Sequence, residues 1–228
     1  MKKLIVLLIG IFYLVSYADA QIIRFGELEE YAKEHYGETW KKAAKNLKDE
    51  LVLDENRALT YDQIIESPGK SASELYILLN YWFVSTFNDG NSVVQLSDKE
   101  LGVIMAAGYL PNIARNVGGM SNYTVSINPV IRIDIKDERV KITCTIPYYS
   151  VEEVYGDGWF SALDKDDVRR YYSHRWAIDN CYPFKNKDER KKTSSKALVM
   201  SHAYANVIMD RIEKVIHTGA VGSESQDW

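Results

Sequence analysis

Apolar and polar residues take turns between positions 123 and 136. Tyr123, Val125, Ile127, Ile131, Ile133 and Ile135 alternate with Thr124, Ser126, Asn128, Arg132, Asp134 and Lys136, a period of two that predicts a long half-buried strand. Lys136-Asp137-Glu138-Arg139 turns the chain back. Val140, Ile142, Cys144 and Ile146 then alternate with Lys141, Thr143 and Thr145, so the two runs predict an antiparallel hairpin with one wet face. Leu59 to Glu66 predicts an earlier strand, stopped by Ser67-Pro68-Gly69. Ser71 or Ser73 then caps a helix to about Phe87, whose Leu75, Leu78, Leu79, Trp82 and Phe83 form a broad apolar face. After the turn at Asn88-Asp89-Gly90-Asn91, Val93, Val94 and Leu96 predict a short strand, and Ser97 to Glu100 turns into another that runs through Tyr109. Gly102, Ala106, Ala107 and Gly108 make that strand small-sided, so that something can pack closely over it. Residues 150–192 read as irregular. A last helix is predicted from Ser194 to His217, with Ala197, Met200, Ala203, Val207, Ile208, Ile212 and Val215 inward.

Residues 59–217 therefore predict strand, helix, four strands, helix. An antiparallel sheet with two one-faced helices on the same side is a two-layer α+β domain, β-α-β-β-β-β-α, the order of the TATA-binding-protein-like (TBP-like) fold. The expected plan is a signal peptide at 1–20, a helical arm at 21–57, the α+β domain at 58–218 with an aromatic-rich insertion at about 150–192, and a flexible tail at 219–228. The arm holds two short polar helices, 27–36 and 38–49, separated by Gly37. Trp40, Ala43, Ala44 and Leu47 give the second a thin apolar stripe.

The first twenty residues change the setting. Lys2 and Lys3 precede an apolar run from Leu4 to Val15, and Ala18-Asp19-Ala20 supplies small residues two apart. That is the order of a cleavable secretory leader, and the apolar run is short of the roughly 20 residues a membrane span needs. The expectation is a periplasmic or extracellular protein that starts at Gln21 and keeps no membrane span. Losing Lys2, Lys3 and Asp19 with the leader takes the formal charge from −4 to −5. An acidic exported protein is a poor partner for phosphate, so nucleic acid is not expected. In that compartment Cys144 and Cys181 read either as one bridge tying a loop to the sheet or as small buried side chains.

The joined motif Ser67-Pro68-Gly69-Lys70-Ser71-Ala72-Ser73-Glu74-Leu75-Tyr76, the following Trp82, and Val94-Gln95-Leu96-Ser97-Asp98-Lys99-Glu100-Leu101-Gly102 resembles a domain of unknown function with a TBP-like fold found in exported bacterial proteins. The hairpin and the terminal helix fit the same plan, so the resemblance spans most of the mature chain. It implies the fold and the secreted setting and brings no reaction, cofactor or catalytic residue. The stretch 151–192 follows the family's pattern least.

Candidate chemistry is sparse. His35, His174, His202 and His217 are scattered without an HExxH or a close acid at ligand spacing, and there is no P-loop, G-x-G-x-x-G or G-x-S-x-G. No catalytic residue, metal or cofactor is therefore expected. Asp157, Asp164, Asp166 and Asp167 lack EF-hand spacing and read as a solvated loop. As a glycosidase pair they are a generic signal only. The basic run Lys185 to Lys192, interrupted by Asp188 and Glu189, reads as a solvated linker. The wet face predicted from the hairpin is polar and of mixed sign, unlike the basic, wedge-bearing surface with which a TBP-like sheet takes DNA. Aromatic density from Tyr148 to Phe184 is the feature that points to binding. Trp159, Tyr171, Tyr172 and Trp176 are the candidate contact residues for a protein or glycan of the cell envelope, and the competing reading folds these rings inward as a satellite core. The leading reading is a non-enzymatic binding module. The second is a carrier with an apolar cavity between helix and sheet beside Gly102, Ala106, Ala107 and Gly108, and the third a hydrolase acting through the acidic loop.

Overall fold

A computed structural model describes residues 23–87, 94–117, 121–155 and 170–219. The leader, the four loop aspartates, Trp159 and the tail beyond Gly219 lie outside the described residues. Inside them the class is α+β, with every strand pair antiparallel. The elements are α1 (Phe25–Tyr36), α2 (Trp40–Leu47), β1 (Leu59–Glu66), α3 (Ala72–Thr86), β2 (Val94–Asp98), β3 (Val103–Ala107), β4 (Leu110–Asn116), β5 (Ser121–Ile127), β6 (Val130–Lys136), β7 (Arg139–Ile146), β8 (Tyr149–Tyr155), β9 (Arg170–Trp176) and α4 (Lys191–Thr218). The expected hairpin is β6–β7, in register from Val130 opposite Thr145 to Lys136 opposite Arg139.

The long strand expected over 123–136 is two strands in two sheets. One sheet runs β1-β7-β6-β3-β2 and the other β4-β5-β8-β9. Pro129 has no N–H to give a ladder, so pairing stops at Ile127 and resumes at Val130. Because both halves keep their odd-numbered residues inward, the alternation stays in phase across the break and hides it. Gly108-Tyr109 and Pro147-Tyr148 make the same two-residue crossing, from β3 to β4 and from β7 to β8. Three neighbouring strands thus bend together from one sheet into the next. The Gly108 N–H donates to the Pro129 carbonyl at 2.8 Å, which fastens the corner.

Two further corrections concern 150–192. The stretch read as irregular holds β8 and β9, so eight strands separate α3 from α4 among the described residues, where four were expected. Asp188, read as part of a solvated linker, is buried at 8% exposure. It accepts from the Tyr182 N–H (3.0 Å), the Arg190 N–H (2.9 Å) and the Ser194 hydroxyl (2.5 Å), and so organises the start of α4, three residues before the expected position. Burial pushes its carboxyl up, but those bonds and the Arg190 charge outweigh burial and hold it below the ordinary value.

The helices follow their apolar faces. At α3, Ser71 and Glu74 form a capping box, with the Ser71 N–H to Glu74 Oε2 at 2.8 Å. Leu75, Leu79, Trp82 and Phe83 are buried, while Leu78 is half-buried. Each such burial contributes about 1.5–3 kcal/mol. Both α3 and α4 pack on the five-stranded sheet and on each other, over Ile131, Ile133, Val140, Ile142 and Ile146. The arm's α1 and α2 pack on α4 through Leu28, Ala32, Ala43, Ala44 and Leu47.

The small residues of β3 are not spare room. Gly102 sits at φ 65°, and a Cβ there would lie 2.5 Å from the Ile135 carbonyl oxygen. At Gly108 a Cβ would meet Pro129 at 3.2 Å and the Tyr204 hydroxyl at 3.5 Å. Cys144 and Cys181 are both buried and unbonded. Burial pushes the Cys144 thiol up to about 12; burial and then the Asp188 charge push Cys181 to about 11, so neither is a reactive thiolate at neutral pH.

Candidate functional site

In β9, Arg-Tyr-Tyr-Ser-His-Arg-Trp, successive side chains point to opposite faces of the sheet. Tyr172, His174 and Trp176 therefore share one face and Tyr171, Ser173 and Arg175 the other. The Tyr172 face is the packed one. Its row neighbours Val125, Val151, Ile127 and Tyr149 are fully buried, and Trp176 is half-buried against them. The Trp176 ring meets Tyr123 edge-on at 5.3 Å, and the Arg190 guanidinium covers it at 4.0 Å. His174 Nε2 lies 3.1 Å from Glu153 Oε2, an acidic partner that sequence spacing did not reveal, and its ring stacks on Tyr172 at 6.2 Å.

Among the described residues the opposite face is open, and it carries the candidate site. Cross-strand pairing sets Arg115 beside Thr124, Thr124 beside Glu152 and Glu152 beside Ser173, one residue from each strand. Two residues further along, Asn122, Val154 and Tyr171 make the next row on the same face. Between these rows lies a hollow of about 590 Å³, which Asn112, Asn116, Val117, Tyr123, Glu153 and Tyr172 also line. Its size is in the range of ligand clefts. Tyr171 is 71% exposed at the edge, a ring presented to solvent with little room to fold inward. One guanidinium and one carboxylate balance formally across a single row.

The four aromatic candidates are not brought together. Tyr171 lines the hollow, Tyr172 turns its ring to the other face, Trp176 is packed into the sheet's edge, and Trp159 is outside the described residues. The residues missed from sequence are Asn112, Arg115, Asn122, Glu152, Val154 and Ser173. The alternation Ser150, Glu152, Val154 against Tyr149 and Val151 was a usable signal for two of them, lost because the stretch read as irregular. No group of three His, Cys, Asp or Glu among the described residues is placed to hold a metal ion. No helix among them is long and apolar enough to cross a membrane.

Residues 61–150, from β1 into β8, match the model of a domain of unknown function (DUF4468) with TBP-like fold. The match is to this stretch alone. It is less than half of the chain, and it supplies Asn112, Arg115, Asn122 and Thr124 to the hollow, while Glu152, Val154, Tyr171 and Ser173 lie beyond it. Two solved structures are similar to the chain. One, a TBP-like protein from Parabacteroides distasonis, shares 13% identity over 72% of this chain and 95% of its own, with a TM-score of 0.44. The other, a DUF4468 family protein from Bacteroides ovatus, shares 13% identity over 76% of this chain and 94% of its own, also at 0.44. No curated protein matches. The DUF4468 description assigns no reaction and no ligand.

Proposed function

We propose that this chain is an exported, non-enzymatic binding module of the cell envelope that takes a neutral glycan on the open face of its four-stranded sheet. The observation that carries the reading is the hollow itself, with one exposed ring, Tyr171, at the edge of a floor made of planar polar groups. A sugar offers a C–H face to an aromatic ring and rows of hydroxyls to amide, carboxylate and guanidinium groups, which can each donate or accept in pairs. Asn112, Asn122, Glu152 and Arg115 are that set. The balanced Arg115 and Glu152 favour a neutral ligand, since an anion would meet Glu152 and a cation Arg115. A glycosidase would need two carboxyls on one side of one bond. Glu152 and Glu153 are adjacent in β8 and so point to opposite faces. The carrier reading needs space beside β3, where Gly102 and Gly108 are in close contact with Ile135, Pro129 and Tyr204.

The test is glycan-array screening of the chain from Gln21, followed by calorimetry on the best neutral hit. Tyr171→Ala is expected to weaken binding about tenfold, the worth of roughly 1.4 kcal/mol, and Tyr172→Ala to leave it within twofold because that ring is on the other face. Equal losses in both variants, or no neutral glycan bound, would overturn the reading. Export is checked separately by N-terminal sequencing of the protein from its native host. A mature start at Gln21 in the periplasmic or secreted fraction is expected, and an intact Met1 in the cytoplasm would remove the envelope setting.

A further inference from the structure

A second hollow, of about 880 Å³, opens between α1, β4 and the first turns of α4. Asn112, Arg115 and Thr124 line it, and the same three line the hollow beside Tyr171. The two hollows adjoin at those three residues, so a ligand long enough to pass them would reach both. The rest of the far half is lined by Phe25, Glu29 and Lys196, together with Pro111 and Ala114 of β4. Its polar groups are built in: Lys196 Nζ bonds Glu29 Oε2 at 2.7 Å and lies 5.3 Å from the centre of the Phe25 ring. The far half thus resembles the near half in setting an aromatic ring beside ion-paired side chains, Glu29 being held by Lys33 at 2.9 Å as well as by Lys196.

Building on the glycan reading of the near half, we infer that the site is a multi-subsite groove for a linear neutral oligosaccharide, which runs from Tyr171 past Arg115 to Phe25 and Lys196. Four strands at about 4.8 Å spacing span roughly 14 Å from β9 to β4 before the far hollow begins. That is wider than one sugar ring, so a monosaccharide fills only part of the groove. Each half mixes acid and base rather than presenting charge of one sign, which suits the same neutral ligand class along the whole length.

The experiment is calorimetry with malto-, cello- and chito-oligosaccharide ladders from one to six units. Affinity for the series that binds is expected to rise at least tenfold between the disaccharide and the hexasaccharide. The double variant Glu29→Gln with Lys196→Met, which removes both charges together and releases only the solvent-exposed Lys33 from Glu29, is expected to erase that gain and leave the disaccharide within twofold. Tyr171→Ala is expected to weaken every length. Amide resonances of Phe25 and Lys196 should shift with the hexasaccharide and stay still with the disaccharide, a readout that needs no variant to fold. Equal affinity across the ladder, or still resonances at Phe25 and Lys196 with the hexasaccharide bound, overturns the extension and leaves the near-half site standing. Binding of extended peptides along both halves in place of any sugar overturns both readings, as does a ladder with no binding member.

Discussion

Asp188→Ala is expected to cost about 3–5 kcal/mol of folding stability, because the change strands several buried donors at once. The Tyr182 and Arg190 N–H groups and the Ser194 hydroxyl all donate to this one carboxylate, whose side chain is 1% exposed. A second, milder variant guards the argument. Asp188→Asn keeps one acceptor oxygen and turns the other into a donor that faces donors, so it should cost about 2 kcal/mol. Urea unfolding followed by circular dichroism reads both. A loss below about 1 kcal/mol in the alanine variant would mean that the start of α4 is held by packing alone. The effect should reach the groove as well, since Arg190 follows Asp188 closely and covers Trp176 at the end of β9. The acid limit has a fixed sign. The Asp188 pKa is depressed in the folded protein, so its stabilisation is present above the ordinary aspartate value and is lost as pH falls through the folded one.

The parts of this fold that could be read from sequence are those in which one residue's neighbours along the chain decide its environment. Ser71 and Glu74 are three apart and meet across the first turn of α3, and the β6–β7 alternation needs only a two-residue turn to pair. The corner between the sheets was written in Pro129, but its effect was masked because the inward phase is odd on both sides. β9 resisted for a different reason. Six of its seven residues are exposed, so no apolar alternation marks it, and it is a strand because β8 pairs with it. Asp188 sits among Lys185, Lys187, Arg190 and Lys191, where charge density suggests solvent, and only tertiary contact shows that this one acid points inward. The site is the extreme case. Arg115, Thr124, Glu152 and Ser173 come from four strands and lie in one row, a juxtaposition fixed by register that no local pattern encodes. Tyr171 and Tyr172 were indistinguishable as neighbours in sequence, and the pleat alone sends them to opposite faces.

The same logic makes His202 the group to watch in mild acid. It sits on the inner part of α4, its ring 4.9 Å from Tyr36 of α1 and 5.5 Å from Tyr61 of β1. Asn206 Nδ2 lies 2.7 Å from the Tyr36 hydroxyl oxygen and 3.2 Å from His202 Nε2. With the amide so assigned, Nε2 accepts and the single ring proton belongs on Nδ1, which is buried with no hydrogen-bond partner. A second proton would have to enter at Nε2, where an N–H would face the amide's own N–H, in surroundings of aromatic rings. Burial accordingly lowers the pKa from 6.5 to about 4. A histidine depressed in the fold contributes its full stabilisation above the unfolded value of 6.5 and loses it as pH falls toward 4, because the unfolded chain takes the proton first. At 1.36 kcal/mol per unit, about 2–3 kcal/mol should be gone by pH 4.5. Urea unfolding of the wild type and of His202→Gln at pH 7.5, 6.0 and 4.5 tests it, the glutamine keeping an acceptor for Asn206. The wild type should lose that amount more than the variant across the series, through about one additional proton bound on unfolding. Parallel pH profiles would show that His202 is solvated in the folded protein, and the contact that joins the arm's Tyr36 to the core through Asn206 would then not be acid-sensitive.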